Sequence, residues 1–84
     1  MQVYELSARF DARQSFYGKA QVIEEDNGDK TLQSYSTKVA RIVSGKPEVY
    51  GTYSQTTLRH IKEFLAQNGF TANNSKQIMA EYGK

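Results

Sequence analysis

The chain has 84 residues, which is enough for one domain and too few for two, so we expect residues 1–84 to form a single domain with one modest core. Hydrophobic residues make up 38% of the sequence and charged residues 24%, a composition typical of a globular protein rather than a disordered segment. The absence of cysteine excludes disulfides, thiol catalysis and cysteine-ligated zinc, and a net charge of +2 is too small to indicate nucleic-acid binding by itself.

The sequence carries no pattern typical of membrane insertion or export. Its beginning alternates polar and apolar residues and includes Glu5 and Arg9, so it lacks the apolar core of a signal peptide. No apolar run approaches the length needed to cross a bilayer. We therefore expect a cytoplasmic protein that does not bind membranes.

The first part of the chain has the two-residue periodicity of β-strands. Residues 3–10 alternate between apolar and polar side chains, and residues 16–24 resume the alternation after a polar loop. Asn27–Gly28 follows, a dipeptide typical of a type I′ turn, which needs positive φ at both central positions. We therefore expect a hairpin at this point, with a returning strand that begins at Thr31.

That returning strand, residues 31–43, is predicted to be long and irregular. Leu32 and Val39 have opposite parity, so they cannot face the same side of a regular strand. A bulge or bend near Ser36 and Thr37 would reconcile them.

The periodicity changes after one more strand. Residues 44–47 predict a turn, and residues 48–53 predict a fourth strand. The apolar side chains then recur three and four positions apart, as in one stripe of a helix, at Leu58, Ile61, Phe64 and Leu65. We expect this helix to span residues 55–68, to stop at Gly69, and to be followed by a short helix that begins near Ser75.

These elements predict the α+β class, with an antiparallel four-stranded β-meander packed by one C-terminal amphipathic helix, plus a short terminal helix. The amphipathic helix is expected to cover one face of the sheet. The predicted core joins apolar residues of this helix to apolar residues of the strands: Leu58, Ile61 and Leu65 against Leu6, Phe10, Val22 and Ile42.

Few residues are suited to catalysis or metal binding. His60 is the one histidine, and a general base or metal ligand would need partners that the sequence does not supply as a group. We favour a helix-surface histidine that hydrogen-bonds a residue of the sheet. The acidic residues 24–29 lack the alternating ligands of a calcium loop, so we favour a solvated hairpin tip. We expect no catalytic site, no cofactor and no metal.

The start of the predicted helix is the first candidate binding site. Ser54, Thr56 and Arg59 lie there, and a helix N-terminus exposes unpaired N–H groups that attract anions. Ser54 or Thr56 is equally suited to capping the helix. Capping is the interpretation we favour, and phosphate binding is the alternative.

The outer face of the sheet is the second candidate. If the face that carries Tyr4 and Leu6 is directed inward, the outward side chains are Arg9, Tyr17, Lys19, Gln33 and Tyr35. Basic residues interleaved with tyrosines suit a sheet that binds nucleic acid, and they are also ordinary on a solvated sheet. Tyrosine and arginine equally concentrate binding energy at protein interfaces.

Two segments resemble a known group of proteins. LQSYSTKVA at residues 32–40 and YSQTTLRHIKEFL at residues 53–65 resemble a family of small uncharacterised proteins encoded by phages, plasmids and other mobile elements of Gram-positive bacteria. The resemblance covers residues 16–70 and carries over no catalytic residue. It implies an accessory role in a bacterial cell, where phage proteins of this size often bind and modulate host machinery, including CRISPR nucleases.

We therefore expect a non-enzymatic protein that binds a protein partner of the bacterial host. The alternative is a small nucleic-acid-binding module that uses the outer sheet face. The low net charge favours the first function, because it gives little long-range attraction for phosphates.

Overall fold

The computed structural model of the protein describes residues 1–6, 20–51 and 55–83. The elements in chain order are β1 (Gln2–Glu5), β2 (Ala20–Glu24), β3 (Lys30–Ser34), β4 (Thr37–Val43), β5 (Lys46–Val49), α1 (Gln55–Gln67) and α2 (Ser75–Tyr82). The strands form one antiparallel sheet in the order β1-β2-β3-β4-β5. The α+β class and the meander are therefore confirmed, but the sheet has five strands and the predicted number of four is wrong.

The additional strand arises because residues 31–43 form a hairpin rather than one bent strand. The chain reverses at Tyr35 and Ser36, where Tyr35 has a φ of 57°. A bulge also contributes to the change of parity between Leu32 and Val39. Leu32 pairs with Ala40 while Gln33 pairs with Lys38, which leaves Val39 as an extra residue in β4. The bulge predicted at residues 36–37 thus lies two positions further along.

The hairpin at residues 25–29 is confirmed, but its turn type is not the predicted one. The N–H of Gly28 donates to the carbonyl of Glu25 at 3.0 Å, and the N–H of Glu25 donates to the carbonyl of Asp29 at 2.8 Å. Gly28 has a φ of 95°, whereas Asn27 does not have positive φ. The loop therefore has three residues with the glycine last, a common hairpin form, instead of a type I′ turn centred on Asn27 and Gly28.

A type I′ geometry occurs instead between β4 and β5. Ser44 and Gly45 both have positive φ, at 53° and 76°, and the turn closes on the paired residues Val43 and Lys46. The turn is therefore two residues long, not four. For this reason β5 begins two residues earlier than the strand predicted at residues 48–53, and residues 52–54 lie outside the described part.

Both helices pack on the same face of the sheet, where α1 contacts β3 and α2 contacts β5. Of the predicted core, Leu6, Val22, Ile42, Ile61 and Leu65 are buried, Leu58 is half-buried against them, and Phe10 lies outside the described residues. Tyr4 pairs with Val22 and so shares its face, but it remains 42% exposed on β1, the first strand of the sheet.

The two helix ends follow the sequence signals. Gly69 has a φ of 85°, and the N–H groups of Gly69 and Phe70 donate to the carbonyls of Ala66 and Leu65 at 3.1 and 2.9 Å, a glycine-terminated stop. Asn74 caps α2, since its side chain accepts from the N–H of Gln77 at 2.8 Å. In the described ranges, neither helix is long and apolar enough to cross a membrane.

Candidate functional site

A buried polar cluster joins the sheet to α1. Ser34 is the last residue of β3 and faces the helices, and its Oγ lies 2.8 Å from Nδ1 of His60 and 3.0 Å from Oγ1 of Thr57. Thr57 and His60 are three residues apart and therefore share one face of α1. The predicted hydrogen bond between His60 and the sheet is confirmed. Its predicted place on the helix surface is wrong, because His60 is fully buried.

Glu63 extends the polar face of α1 by one more turn. It is only 2% exposed, and its Oε2 accepts a hydrogen bond of 2.7 Å from Nε2 of Gln67. Ser34 is likewise 2% exposed. Groups buried in this way align a helix on a sheet and are poorly placed to meet a substrate. Among the residues that the structure describes, no group of three or more histidine and acidic side chains could hold a metal ion.

Tyr35 lies at the solvent side of this cluster. Its ring is 56% exposed and its centroid is 6.0 Å from that of His60, at an angle of 49°. The prediction that Tyr35 belongs to the outer face is wrong, because the residue lies in the turn after β3 and its ring approaches α1. The left-handed backbone of the turn redirects the side chain.

The candidate anion site at the helix start is only partly described. Thr56 is the second residue of α1 and hence lies inside the helix, so its predicted capping role is wrong. Arg59 lies one turn further along and is half-buried. Ser54, like Arg9, Tyr17 and Lys19 of the predicted outer face, lies outside the described residues.

The outer face of the sheet is the side opposite the two helices. Its central row crosses all five strands through paired residues, in the order Val3, Ile23, Thr31, Arg41 and Glu48. A second row contains Glu5, Gln21, Gln33 and Lys38. Gln33 is thus on the predicted face, but the structure does not bring it together with Thr56 and Arg59, which lie on α1 at the other side of the sheet. No helix of the described ranges covers these rows.

Arg41 is the residue of the central row whose side chain is held by two neighbours. Its Nε donates to Oε1 of Glu48 at 2.5 Å, and its guanidinium carbon lies 5.9 Å from the ring centroid of Tyr50. The hydrogen bond to the Glu48 carboxylate raises the pKa of Arg41, and Tyr50 adds to the shift. An arginine is charged throughout the physiological range in any case, and the Glu48 carboxylate stabilises that charge further.

Sequence reasoning missed this group of Arg41, Glu48 and Tyr50. The signal that would have found it is the turn, because a two-residue turn at Ser44–Gly45 places residues 41 and 48 opposite one another. The predicted turn over residues 44–47 does not place these two residues opposite one another.

Among the described residues, the remaining cations of the outer face are far apart. Lys38 and Lys46 are both exposed and stand near opposite ends of β4, with Lys46 paired to Val43. The two positions are about 17 Å apart, because a strand advances about 3.4 Å per residue. Arg41, which lies between them, is already engaged by Glu48.

Comparison with known proteins identifies the family. Residues 4–81 match the model of DUF8033, a family of unknown function. The chain belongs to this family. No curated protein and no solved structure matches it.

The DUF8033 match begins in β1 and ends in α2. It therefore includes the buried cluster, α1, and all but one residue of both the central row and α2. The expectation that the chain belongs to a family without an assigned function is confirmed.

Proposed function

We propose that this DUF8033 protein is a non-enzymatic accessory protein that binds another protein through the outer face of its sheet. The observation that carries the proposal is Arg41, held between Glu48 and Tyr50 in a row that also contains Val3, Ile23 and Thr31. A preorganised arginine beside a tyrosine, in one row with the two aliphatic side chains of Val3 and Ile23, is typical of the residues that dominate protein interfaces. Because the arginine is already fixed, less side-chain entropy is lost on binding.

The partner that fits has an apolar centre flanked by carboxylates. The apolar side chains of the central row would pack against that centre, while Lys38 and Lys46 stand free to pair with acidic groups at its margins. The resemblance to proteins of phages and mobile elements supports a partner in the cytoplasm of a bacterial host. A modulator or inhibitor of host machinery, with CRISPR nucleases as one example, is the role in keeping with that origin.

The placement of the ionisable side chains supports a role without catalysis. His60 is fully buried with Nδ1 at 2.8 Å from Ser34, and Glu63 is 2% exposed. General acid–base catalysis needs such groups within hydrogen-bond reach of a bound substrate. In this proposal His60 and Glu63 therefore serve the packing of α1 rather than proton transfer.

The nucleic-acid alternative is weaker on this face. Single-strand binding needs exposed aromatic rings and a run of free cations along the backbone path. In the part of this face that the structure describes, Arg41 is paired and stands over Tyr50, while Lys38 and Lys46 are widely separated. Protein binding is the function we therefore prefer.

Affinity capture from a bacterial host lysate, treated with nuclease, tests the proposal. Lys38→Glu changes the outer face, and Lys76→Glu makes the same change at an exposed lysine of α2. Arg41→Gln removes the guanidinium of the central row. We expect a host protein that is retained by the parent and by the Lys76 variant, and that is lost at least about tenfold in the Lys38 and Arg41 variants.

Two results of the capture would contradict the proposal. Equal retention by all four proteins would place the binding surface elsewhere. Loss of every captured protein after nuclease treatment would show that nucleic acid mediates the contact.

A further inference from the structure

We infer that two copies of this chain pair through β1, each strand Gln2–Glu5 adding to the other in antiparallel orientation to form one continuous ten-stranded sheet. This inference goes beyond the proposed function and does not depend on it. It rests on the backbone of β1 and on the apolar side chains around it. It also rests on β5, the strand at the other end of the sheet, whose outward side is not open in the same way.

The backbone of β1 offers hydrogen-bonding groups away from β2. The N–H of Leu6 donates to the carbonyl of Ala20 at 3.0 Å, so the backbone N–H and C=O of Leu6 point toward β2. In an antiparallel ladder this direction alternates from residue to residue. The backbone groups of Tyr4 and Gln2 therefore also point toward β2, while Val3 and Glu5 direct both N–H and C=O away from the sheet. All four residues of β1 are exposed. Such a strand is a template for another strand.

The exposed apolar side chains are concentrated at the same place. Within the described ranges, the large apolar side chains that are exposed are Met1, Val3, Tyr4 and Tyr35, and three of these four lie in β1 or directly before it. Val3 is 53% exposed on the outer face, and Tyr4 is 42% exposed on the helix side. A partner strand would therefore cover apolar surface on both faces.

The opposite end of the sheet is not open in this way. The N–H of Tyr50 donates to the carbonyl of Val39 at 3.1 Å, so the backbone N–H and C=O groups of the even-numbered residues of β5 point toward β4. The outward positions are then Pro47, which has no N–H, and Val49, which forms a bridge with Gly83. Because only the β1 end can add a strand, pairing of two copies leaves a closed dimer rather than a filament.

The sequence of β1 fits its own copy in one register. Pairing centred on Tyr4 sets Val3 opposite Glu5 of the second copy, so the outward backbone groups of both residues form four hydrogen bonds across the twofold axis. Tyr4 then lies opposite Tyr4 of the second copy, a stabilising aromatic pair, and no like charges stand directly opposite one another. This self-complementarity is the reason for a second copy rather than a foreign strand.

Sedimentation equilibrium of the purified chain, from roughly 10 μM to 1 mM, measures the pairing, since a small interface gives weak association. We expect a mass that rises from one chain toward two. Tyr4→Lys should weaken association at least about tenfold, because it sets like charges opposite one another. Tyr35→Lys, the same change at an exposed tyrosine in the turn between β3 and β4, should leave association unchanged. A monomer mass throughout this range would overturn the inference.

A mixture of two variants tests the register. Tyr4→Lys and Tyr4→Glu chains should each remain monomeric alone and should form a mixed dimer together, because opposite charges then face one another across the axis. Val3→Pro is a second variant that removes one outward N–H and leaves the bonds to β2 in place. It should abolish pairing without lowering the melting temperature of the monomer by more than a few degrees. Dimers that persist in Val3→Pro would overturn the inference.

Amide hydrogen exchange separates the strand pairing from other contacts between copies. Raising the concentration should slow exchange at Val3 and Glu5, whose N–H groups point outward, and should leave Tyr4 unchanged because its N–H already bonds β2. Exchange at Val3 and Glu5 that does not change with concentration would contradict the pairing.

Discussion

Ser34 connects β3 to α1 through two buried hydrogen bonds, and this makes it the most informative residue for the packing of the helix. We predict that Ser34→Ala lowers the free energy of unfolding by about 1–3 kcal/mol, because it removes the buried hydrogen bonds of Ser34 to His60 and Thr57. Ser36→Ala, at an exposed serine two residues later, should change it little. Chemical denaturation of both variants measures the difference, and equal stability of the two would contradict the role of the cluster.

The same residues show what a sequence can reveal about a site. The hydrogen bond from His60 to the sheet followed from its place beside the apolar stripe. The burial of His60 did not follow, because the face of α1 that meets the sheet also carries Thr57 and Glu63, which a hydropathy pattern assigns to solvent. Polar residues inside a core are recognisable only once their partners, such as Ser34, are placed in space.

At the scale of elements, the turn between β4 and β5 allows a prediction about backbone strain. Ser44 has a φ of 53° in a type I′ turn, where asparagine is preferred to serine. We expect Ser44→Asn to raise the free energy of unfolding by up to roughly 1 kcal/mol, because asparagine tolerates the left-handed backbone that costs most residues about 1–2 kcal/mol. Ser36→Asn is the matched control, since Ser36 does not have positive φ. A thermal melt of Ser44→Asn at or below that of the parent would be the contrary result.

The packing of α1 on the sheet gives the second prediction at this scale. Leu65 is fully buried, and we expect Leu65→Ala to lower the free energy of unfolding by roughly 2–5 kcal/mol, a large part of the stability of so small a domain. Leu58→Ala should have a smaller effect, because Leu58 is half-buried. Urea denaturation of the two variants provides the comparison. If Leu65→Ala unfolds at the same urea concentration as the parent, α1 does not pack as described.

The elements also differ in how well the sequence predicts them. α1, its glycine stop and α2 follow from local signals, since Gly69 and Asn74 act within a few residues of the helices that they end or begin. The β3–β4 hairpin does not, because Tyr35, which takes the left-handed backbone conformation in its turn, belongs to a residue type that rarely adopts it. The left-handed backbone of Tyr35 is held by the paired strands on either side, and such tertiary support is absent from the local sequence.

At the scale of the whole molecule, the two faces of the sheet carry different groups. One face holds both helices and the buried cluster, and the opposite face presents Arg41 between Glu48 and Tyr50. The sequence predicted that an outer face would exist, and it placed Gln33 there. It did not predict Arg41, because cross-strand neighbours depend on the exact register of the turn.

The last prediction follows from the distribution of charge. Fluorescence anisotropy of random-sequence single- and double-stranded oligonucleotides, titrated with the purified chain at physiological salt, tests most directly whether this molecule binds protein rather than nucleic acid. We predict no measurable association, because Lys38 and Lys46, the free cations in the described part of the outer face, lie far apart and the net charge is only +2. Sub-micromolar binding whose affinity falls steeply with salt, with a slope that Lys38→Ala reduces by about one unit, would contradict the account and establish the outer face as a nucleic-acid surface.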